Sequence, residues 1–465
     1  MNDNKYCNKK NNTVLLRKRI KMNKKFEISR LGKCTIKTPL KLSKVKGDGM
    51  YDYVEDDERI LYSVSYKKGI EECKKGIEPL SFERPGPKEF LYFEPAKTKV
   101  AIVTCGGLCP GLNNVIRGLV NQLWDRYGVF KIFGVQYGYA GLNPKNELPF
   151  VELNPELVDD IHKTGGSMLG TSRGEQPVDV LVDTLERHNI SILFCIGGDG
   201  TLRGAHAIFQ EIQARGLNIS IAGIPKTIDN DISYIEKSFG FESAFTTAQE
   251  IILNAHNEAK GAQNGVALIK LMGRDSGFIA ANAALAVPDV NFVLIPEMDF
   301  CLDDPVHKNG FLNHLETRLK HKKHAVVVVA EGAGQSLFSD EKIQKDASGN
   351  IIHKDIGVFL HQKINEYFDA KNIPVAVKYI DPSYIIRSIP ANANDSKFCA
   401  QLTHKAVHAA MAGRTDFIVG YWNAHFTLVP IATATETRKK INIEGEFWWN
   451  VLEATRQPID MGKTK

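Results

Sequence analysis

Residues 191–201 read SILFCIGGDGT. An unbroken apolar run ends on two glycines and an aspartate, and residues 201–216, TLRGAHAIFQEIQARG, then follow helical spacing. Continuous apolar runs suit strands covered on both faces, whereas alternating runs suit half-exposed ones. Paired glycines at the strand exit let backbone N–H groups approach a ligand, and a helix N-terminus favours an anion. Asp199 at that exit would repel phosphate unless a cation intervened. Mg²⁺ is the cation such a site calls for, being hard, oxygen-seeking and suited to phosphates. The alternative is an aspartate that caps the helix.

The same texture spreads in both directions from this stretch. KVAIVT (99–104), KIFGVQ (131–136), ISIAGIP (219–225), GVALIKLMG (265–273), NFVLIPE (291–297), HAVVVVAEG (324–332), IPVAVKYI (373–380) and DFIVGYW (416–422) read as buried strands. Between them, residues 113–127, 242–260, 358–370 and 395–413 carry helical periodicity. Strand–helix alternation of this kind predicts an α/β fold with mostly parallel sheets. Ligands in such folds gather beyond the C-terminal strand ends. Residues 1–95 are read as a basic, irregular N-terminal extension and 96–465 as the catalytic region. The polar stretch 336–355 is read as a surface hairpin or loop.

Further motifs sit at strand ends. CGGLCPGLN (105–113) opens a helix with Gly106 and Gly107 but lacks the Lys-Ser/Thr of a P-loop, so a tight βα turn explains it equally well. PKTIDND (225–231) places Asp229 and Asp231 two apart, on one side of an extended backbone. One carboxylate can then act as general base on a substrate hydroxyl while the other holds a sugar. Lys226 and Thr227 can meet phosphate. In KLMGRDSGFIA (270–280), Arg274 is placed to clamp phosphate or a sugar hydroxyl, and Asp275 in the DSG reads as a helix cap. Glu331 leaves a buried strand, where an idle carboxylate is costly. Residues 378–395 present Lys378, Tyr384 and Arg387 for a second, stationary phosphate.

With GGDGT, PKTIDND and MGRDSG in that order, the chain from Lys99 onward resembles the 6-phosphofructokinase family, specifically the long ATP-dependent type. The resemblance implies two Rossmann-like, interleaved α/β lobes with the active site between them. It implies transfer of the ATP γ-phosphoryl group to the C1 hydroxyl of fructose 6-phosphate. Gly106, Arg173, Gly174, Gly198, Asp199, Gly200 and Thr201 would then bind ATP, with Asp199 on Mg²⁺ and Arg173 steadying the transferring group. Thr227, Ile228 and Asp229 would meet the sugar, with Asp229 as general base. Met272, Gly273, Arg274, Glu331, Tyr384, Ile385, Ile386 and Arg387 would complete the sugar-phosphate site. Gly200 marks the donor, because pyrophosphate users carry Asp there and Gly leaves room for a nucleotide α-phosphate. Lys226 instead resembles the pyrophosphate users, and Gly265 stands where short members place an arginine from a neighbouring subunit. A homodimer or homotetramer in the cytoplasm is implied. The rivals are a pyrophosphate-dependent phosphotransferase and a non-catalytic subunit that senses ATP or sugar phosphate. Lipid and NAD kinases share GGDGT but lack its two companion motifs.

The remaining composition restricts little else. The chain has 465 residues, 43% hydrophobic and 24% charged, with a net charge of +5. Residues 1–50 hold 15 Lys/Arg against 3 Asp/Glu, which reads as a solvated arm; a further reading takes Met22 as the true start, with MNKKFEISRLG as the natural N-terminus. The arm lacks aromatic interleaving and an amphipathic repeat, so neither nucleic acid nor membrane is expected as a partner. Eight scattered cysteines without paired CxxC spacing read as reduced thiols rather than disulfides or a zinc site.

Overall fold

The computed structural model describes residues 24–338 and 353–462. Thirteen strands build two sheets: β1 (Arg59–Leu61), β2 (Ser81–Glu83), β3 (Lys99–Thr104), β4 (Lys131–Val135), β5 (Phe150–Leu153), β6 (Ile192–Gly197), β7 (Ser220–Pro225), β8 (Gly265–Leu271), β9 (Phe292–Leu294), β10 (His324–Ala330), β11 (Ala376–Ile380), β12 (Phe417–Trp422) and β13 (His425–Pro430). The larger sheet runs β1-β2-β13-β12-β7-β6-β3-β4-β5, and the smaller runs β9-β10-β8-β11. The smaller sheet is parallel throughout, and so are the five central strands of the larger one. Within these two sheets, antiparallel pairing is confined to the margins of the larger one.

The central strands behave as their apolar runs predict. Every residue of β6, β7 and β8 is buried, because helices cover both faces. Those that matter for the site are α1 (Leu112–Asn121), α2 (Asp199–Ala214), α3 (Phe241–Lys260), α4 (Phe278–Ala286), α5 (Ser383–Ser388), α6 (Ala393–Met411) and α7 (Glu446–Thr455). Separate apolar cores fill the two faces of the larger sheet, and a third surrounds the smaller sheet. Ile228 packs against the small-sheet core and one large-sheet core, at the seam between lobes. The chain crosses that seam repeatedly. It leaves β7 for α3, returns along α6, and crosses once more after β13 to seat α7 against α4.

Residues 24–95 depart from the irregular extension expected of them. β1 and β2 lengthen the larger sheet, and two short strands, Ser29–Arg30 and Ile36–Lys37, pair with Arg414–Thr415 and Phe90–Leu91. The Phe26 ring centroid lies 4.3 Å from that of Phe82, tilted against it, and 5.0 Å from that of Tyr234, edge-on. Strands of two or three residues carry too little pattern to be read locally, and their pairing is set by distant partners. The first 23 residues of the basic arm, and 339–352 of the polar stretch, lie outside the described residues.

Candidate active site

Four elements at the strand exits meet at the seam. The first joins β3 to α1. Gly106 has φ +84°, a left-handed conformation that favours glycine, and its N–H donates to Ser172 O at 3.0 Å. This contact brings the 170–174 loop alongside. A side chain on Gly107 would meet the Arg173 guanidinium at 3.5 Å. Gly106, Gly107, Arg173, Tyr384, Arg387 and Ser388 are among the residues lining one cavity of about 360 Å³. The Arg387 guanidinium lies 4.4 Å over the Tyr384 ring.

The second loop joins β6 to α2. Gly198 is the N-cap and Asp199 the first helical residue, so Asp199 is not the cap. Its carboxylate receives Arg203 at 3.1 Å, one helical turn on, and Arg438 at 3.7 Å. A β-carbon built on Gly200 meets nothing within 4 Å, so the space above the helix start is open. Thr201 is buried, and its carbonyl accepts from the Tyr139 hydroxyl at 2.8 Å.

The third loop, 226–231, follows β7. Its backbone turns rather than extends: Asn230 has φ +54°, and Asp229 and Asp231 face different partners. The buried Lys226 donates to Gly107 O at 2.7 Å, beside Gly106. Burial holds its ammonium below the usual lysine value, and Arg173 adds to this, while Cys109, Cys105 and Asp229 oppose it. Thr227 Oγ1 donates to Asp231 Oδ1 at 2.5 Å. Asp229 Oδ2 accepts from the Arg274 N–H at 3.4 Å, whereas its shielded Oδ1 finds no partner among the described residues. Burial, then the neighbouring charges of Asp231 and Glu331, push the Asp229 carboxyl well above the usual carboxylate range.

The fourth element is a pair of loops after β8 and β10. Gly332 N donates to Gly273 O at 3.0 Å, and a β-carbon on Gly332 would strike Arg274 O at 1.8 Å. That tight fit holds the two loops together, and the charges of both Glu331 and Arg274 act on Asp229. Ser276 Oγ donates to Asp229 O at 3.2 Å. Asp275 does not cap α4. Gly277 holds that position, with its N–H on Glu297, while Asp275 pairs with Arg438.

Most of the expected residues therefore converge. Met272 and Ile386 instead turn into the small-sheet core, Ile385 is exposed, and Lys378 lies mid-strand on β11, in register with Ala267. Sequence reasoning missed Arg438 and Arg203. The one local signal for Arg438 is the TRKK run at 437–440, which stands apart from every glycine motif, whereas Arg203 lies two residues after GGDGT.

The phosphofructokinase family model matches residues 99–410. The chain belongs to the phosphofructokinase family. An ATP-dependent 6-phosphofructokinase of Borreliella burgdorferi is 51% identical over 443 residues, covering 94% of this chain and 97% of the relative. ATP-dependent 6-phosphofructokinase 7 of Arabidopsis thaliana is 46% identical over 84% of this chain and 79% of its own length. Among solved structures, the pyrophosphate-dependent phosphofructokinase of Marinobacter aquaeolei superposes with a TM-score of 0.63 at 20% identity, covering 79% of this chain and 92% of that one. The structural match establishes the shared two-lobed family fold. Every converging residue except Arg438 falls within the matched segment.

Proposed function

We infer that the chain is an ATP-dependent 6-phosphofructokinase that phosphorylates the C1 hydroxyl of fructose 6-phosphate. The observation that carries this reading is Asp229. A shielded carboxylate oxygen without a partner, next to Lys226 and the glycine loop, is a base awaiting a donor hydroxyl. The C1 oxygen attacks the γ-phosphorus, Asp229 takes its proton, and the bond from the γ-phosphorus to the bridging oxygen breaks to release ADP. Arg173 and Lys226 offset charge on the phosphoryl group, while the N–H groups of Gly107 and the start of α2 cradle the donor and Gly106 ties the loop to Ser172. Transfer of this kind rests on positioning and positive charge. Arg274, Glu331, Tyr384 and Arg387 hold the sugar phosphate in this reading.

The magnesium requirement fits the residues present. Among the described residues no group of three His, Cys, Asp or Glu forms a cage. Mg²⁺ needs none, since one or two carboxylates and the substrate's phosphates suffice. Asp199, 18% exposed at its side chain, is the carboxylate that would hold it. When bound, the ion offsets charge on the transferring phosphates.

Gly200 favours ATP over pyrophosphate because the space beside it is open. Steady-state kinetics with fructose 6-phosphate, Mg²⁺ and each donor test the reading, and Gly200→Asp serves as the specificity probe. Wild type is expected to use ATP. The variant, whose new β-carbon meets nothing within 4 Å, is expected to melt like wild type with its ATP KM raised at least about tenfold by repulsion from the α-phosphate. Equal or preferred use of pyrophosphate by wild type rejects ATP as the donor, and absence of turnover with tight ligand binding supports a sensing subunit. Homo-oligomerisation and a cytoplasmic place accompany this reading; among the described residues no helix is long and apolar enough to cross a membrane.

A further inference from the structure

Residues 435–441 form a strap between β13, in the large-sheet lobe, and α7, against the small-sheet lobe. The strap is stitched to the acceptor loop. Lys439 N donates to Asp231 O at 2.8 Å, Ser233 Oγ donates to Thr437 O at 2.6 Å, and Ile232 and Arg438 form an antiparallel bridge. At its centre the Arg438 guanidinium touches Asp275 directly and lies 3.3 Å from Asp231 and 3.7 Å from Asp199. Asp199 is tied to the strap a second way, since Arg203 donates both to it and to Thr435 O at 3.2 Å.

We propose that Arg438 is a positioning residue for phosphoryl transfer, binding the donor-side loop of Asp199 and the acceptor-side loops of Asp231 and Asp275 into one arrangement around Asp229. The inference rests on the kinase reading above and adds a residue outside the segment matched to the family. Two of the three carboxylates it grips lead to the base. Asp231 accepts from Thr227, two residues before Asp229. Asp275 lies between Arg274, whose N–H meets the Asp229 carboxylate, and Ser276, which donates to the Asp229 carbonyl. A planar guanidinium with five donors can span three carboxylates, whereas an ammonium is a point charge that serves fewer at once. Arg438 also sets the charge around the base. Asp229 interacts with the negative charges of Asp231 and Glu331 and with the positive charges of Arg274 and Lys226. Without Arg438, Asp231 loses its ion-pair partner and keeps only the nearby charge of the buried Lys439, so Asp229 holds its proton more firmly.

The experiment compares wild type with Arg438→Gln and Arg438→Lys by melting temperature, kcat, KM for ATP and fructose 6-phosphate, and the pH profile of kcat. Arg438→Gln is expected to remain folded and lose about 10²-fold in kcat, the scale of a misplacement near 1 Å, with both KM values within about threefold. Its acid limb is expected to move to higher pH, and Arg438→Lys is expected to restore part of kcat and move the limb back. A folded Arg438→Gln enzyme with wild-type kcat, or one with lowered kcat and an unmoved acid limb, overturns the proposal. If Arg438→Gln fails to fold, Asp275→Asn replaces it. That variant cuts one of the three links and is expected to lower kcat about tenfold at unchanged KM, and an unchanged kcat overturns the proposal. A wild type that phosphorylates no fructose 6-phosphate refutes the kinase reading instead, so the two failures are distinguishable.

Discussion

Asp229 is a residue whose chemistry and stability pull in opposite directions. In its proposed role as base it must be ionised, yet burial and two acidic neighbours raise its proton affinity. Asp229→Asn is expected to lower kcat by about 10²–10⁴-fold while leaving both KM values near wild type, as steady-state kinetics will show. The acid limb of the wild-type kcat/KM profile should lie above the ordinary carboxylate range. Because the folded value is raised, the folded state binds more protons than the unfolded one between the ordinary aspartate value and the raised one. Stability therefore falls as pH rises through that window. Asp229→Asn should melt above wild type at neutral pH, with the gain closing toward pH 4 in thermal scans. The motif itself was legible at this scale, since PKTIDND advertises carboxylates and cations at a strand end. The direction of each side chain was not, because the loop turns at Asn230 where an extended backbone was expected.

At the scale of elements, the long apolar strands announced themselves and the marginal ones did not. β6 and β7 are recognisable because helices on both faces demand unbroken apolar runs. β1, β2 and β13 are short or mixed, and they exist because the edge of a sheet is there to receive them. What anchors β2 is a buried ion pair. Glu83 meets Arg414 at 2.9 Å, and Arg414 also reaches Asp56 at 2.7 Å. The surrounding cations hold the Asp56 carboxyl well below the usual carboxylate range, against the opposing effect of its burial. Removing one member of a buried pair strands the other. Glu83→Ala should therefore cost about 3–5 kcal/mol in urea unfolding, which would show the N-terminal strands to be part of the folding unit. A loss under about 1 kcal/mol would instead match an exposed pair.

At the scale of the whole molecule, the cleft belongs to neither lobe alone. Gly106, Arg173 and Asp199 come from the large-sheet side, Arg274 and Glu331 from the small-sheet side, and Asp229 and Arg438 from segments that cross between them. Ligands that bind only this assembled cleft should stabilise the whole chain. MgATP or fructose 6-phosphate at a hundredfold excess over its Kd should add about 2.7 kcal/mol to the unfolding free energy, seen as a raised melting temperature. An unchanged melting temperature at saturating ligand would contradict a site shared by both lobes. The amino-acid sequence by itself determined the α/β class, the strand–glycine–helix corners and the phosphate chemistry, because periodicity, glycine freedom and helix ends act over a few neighbouring residues. Tertiary structure alone decided that Asp231 and Glu331 raise the proton affinity of Asp229, and that Arg438 meets Asp275 from 163 positions away and Asp231 from 207. Coulomb interactions depend on separation in space, and only the folded chain sets that distance.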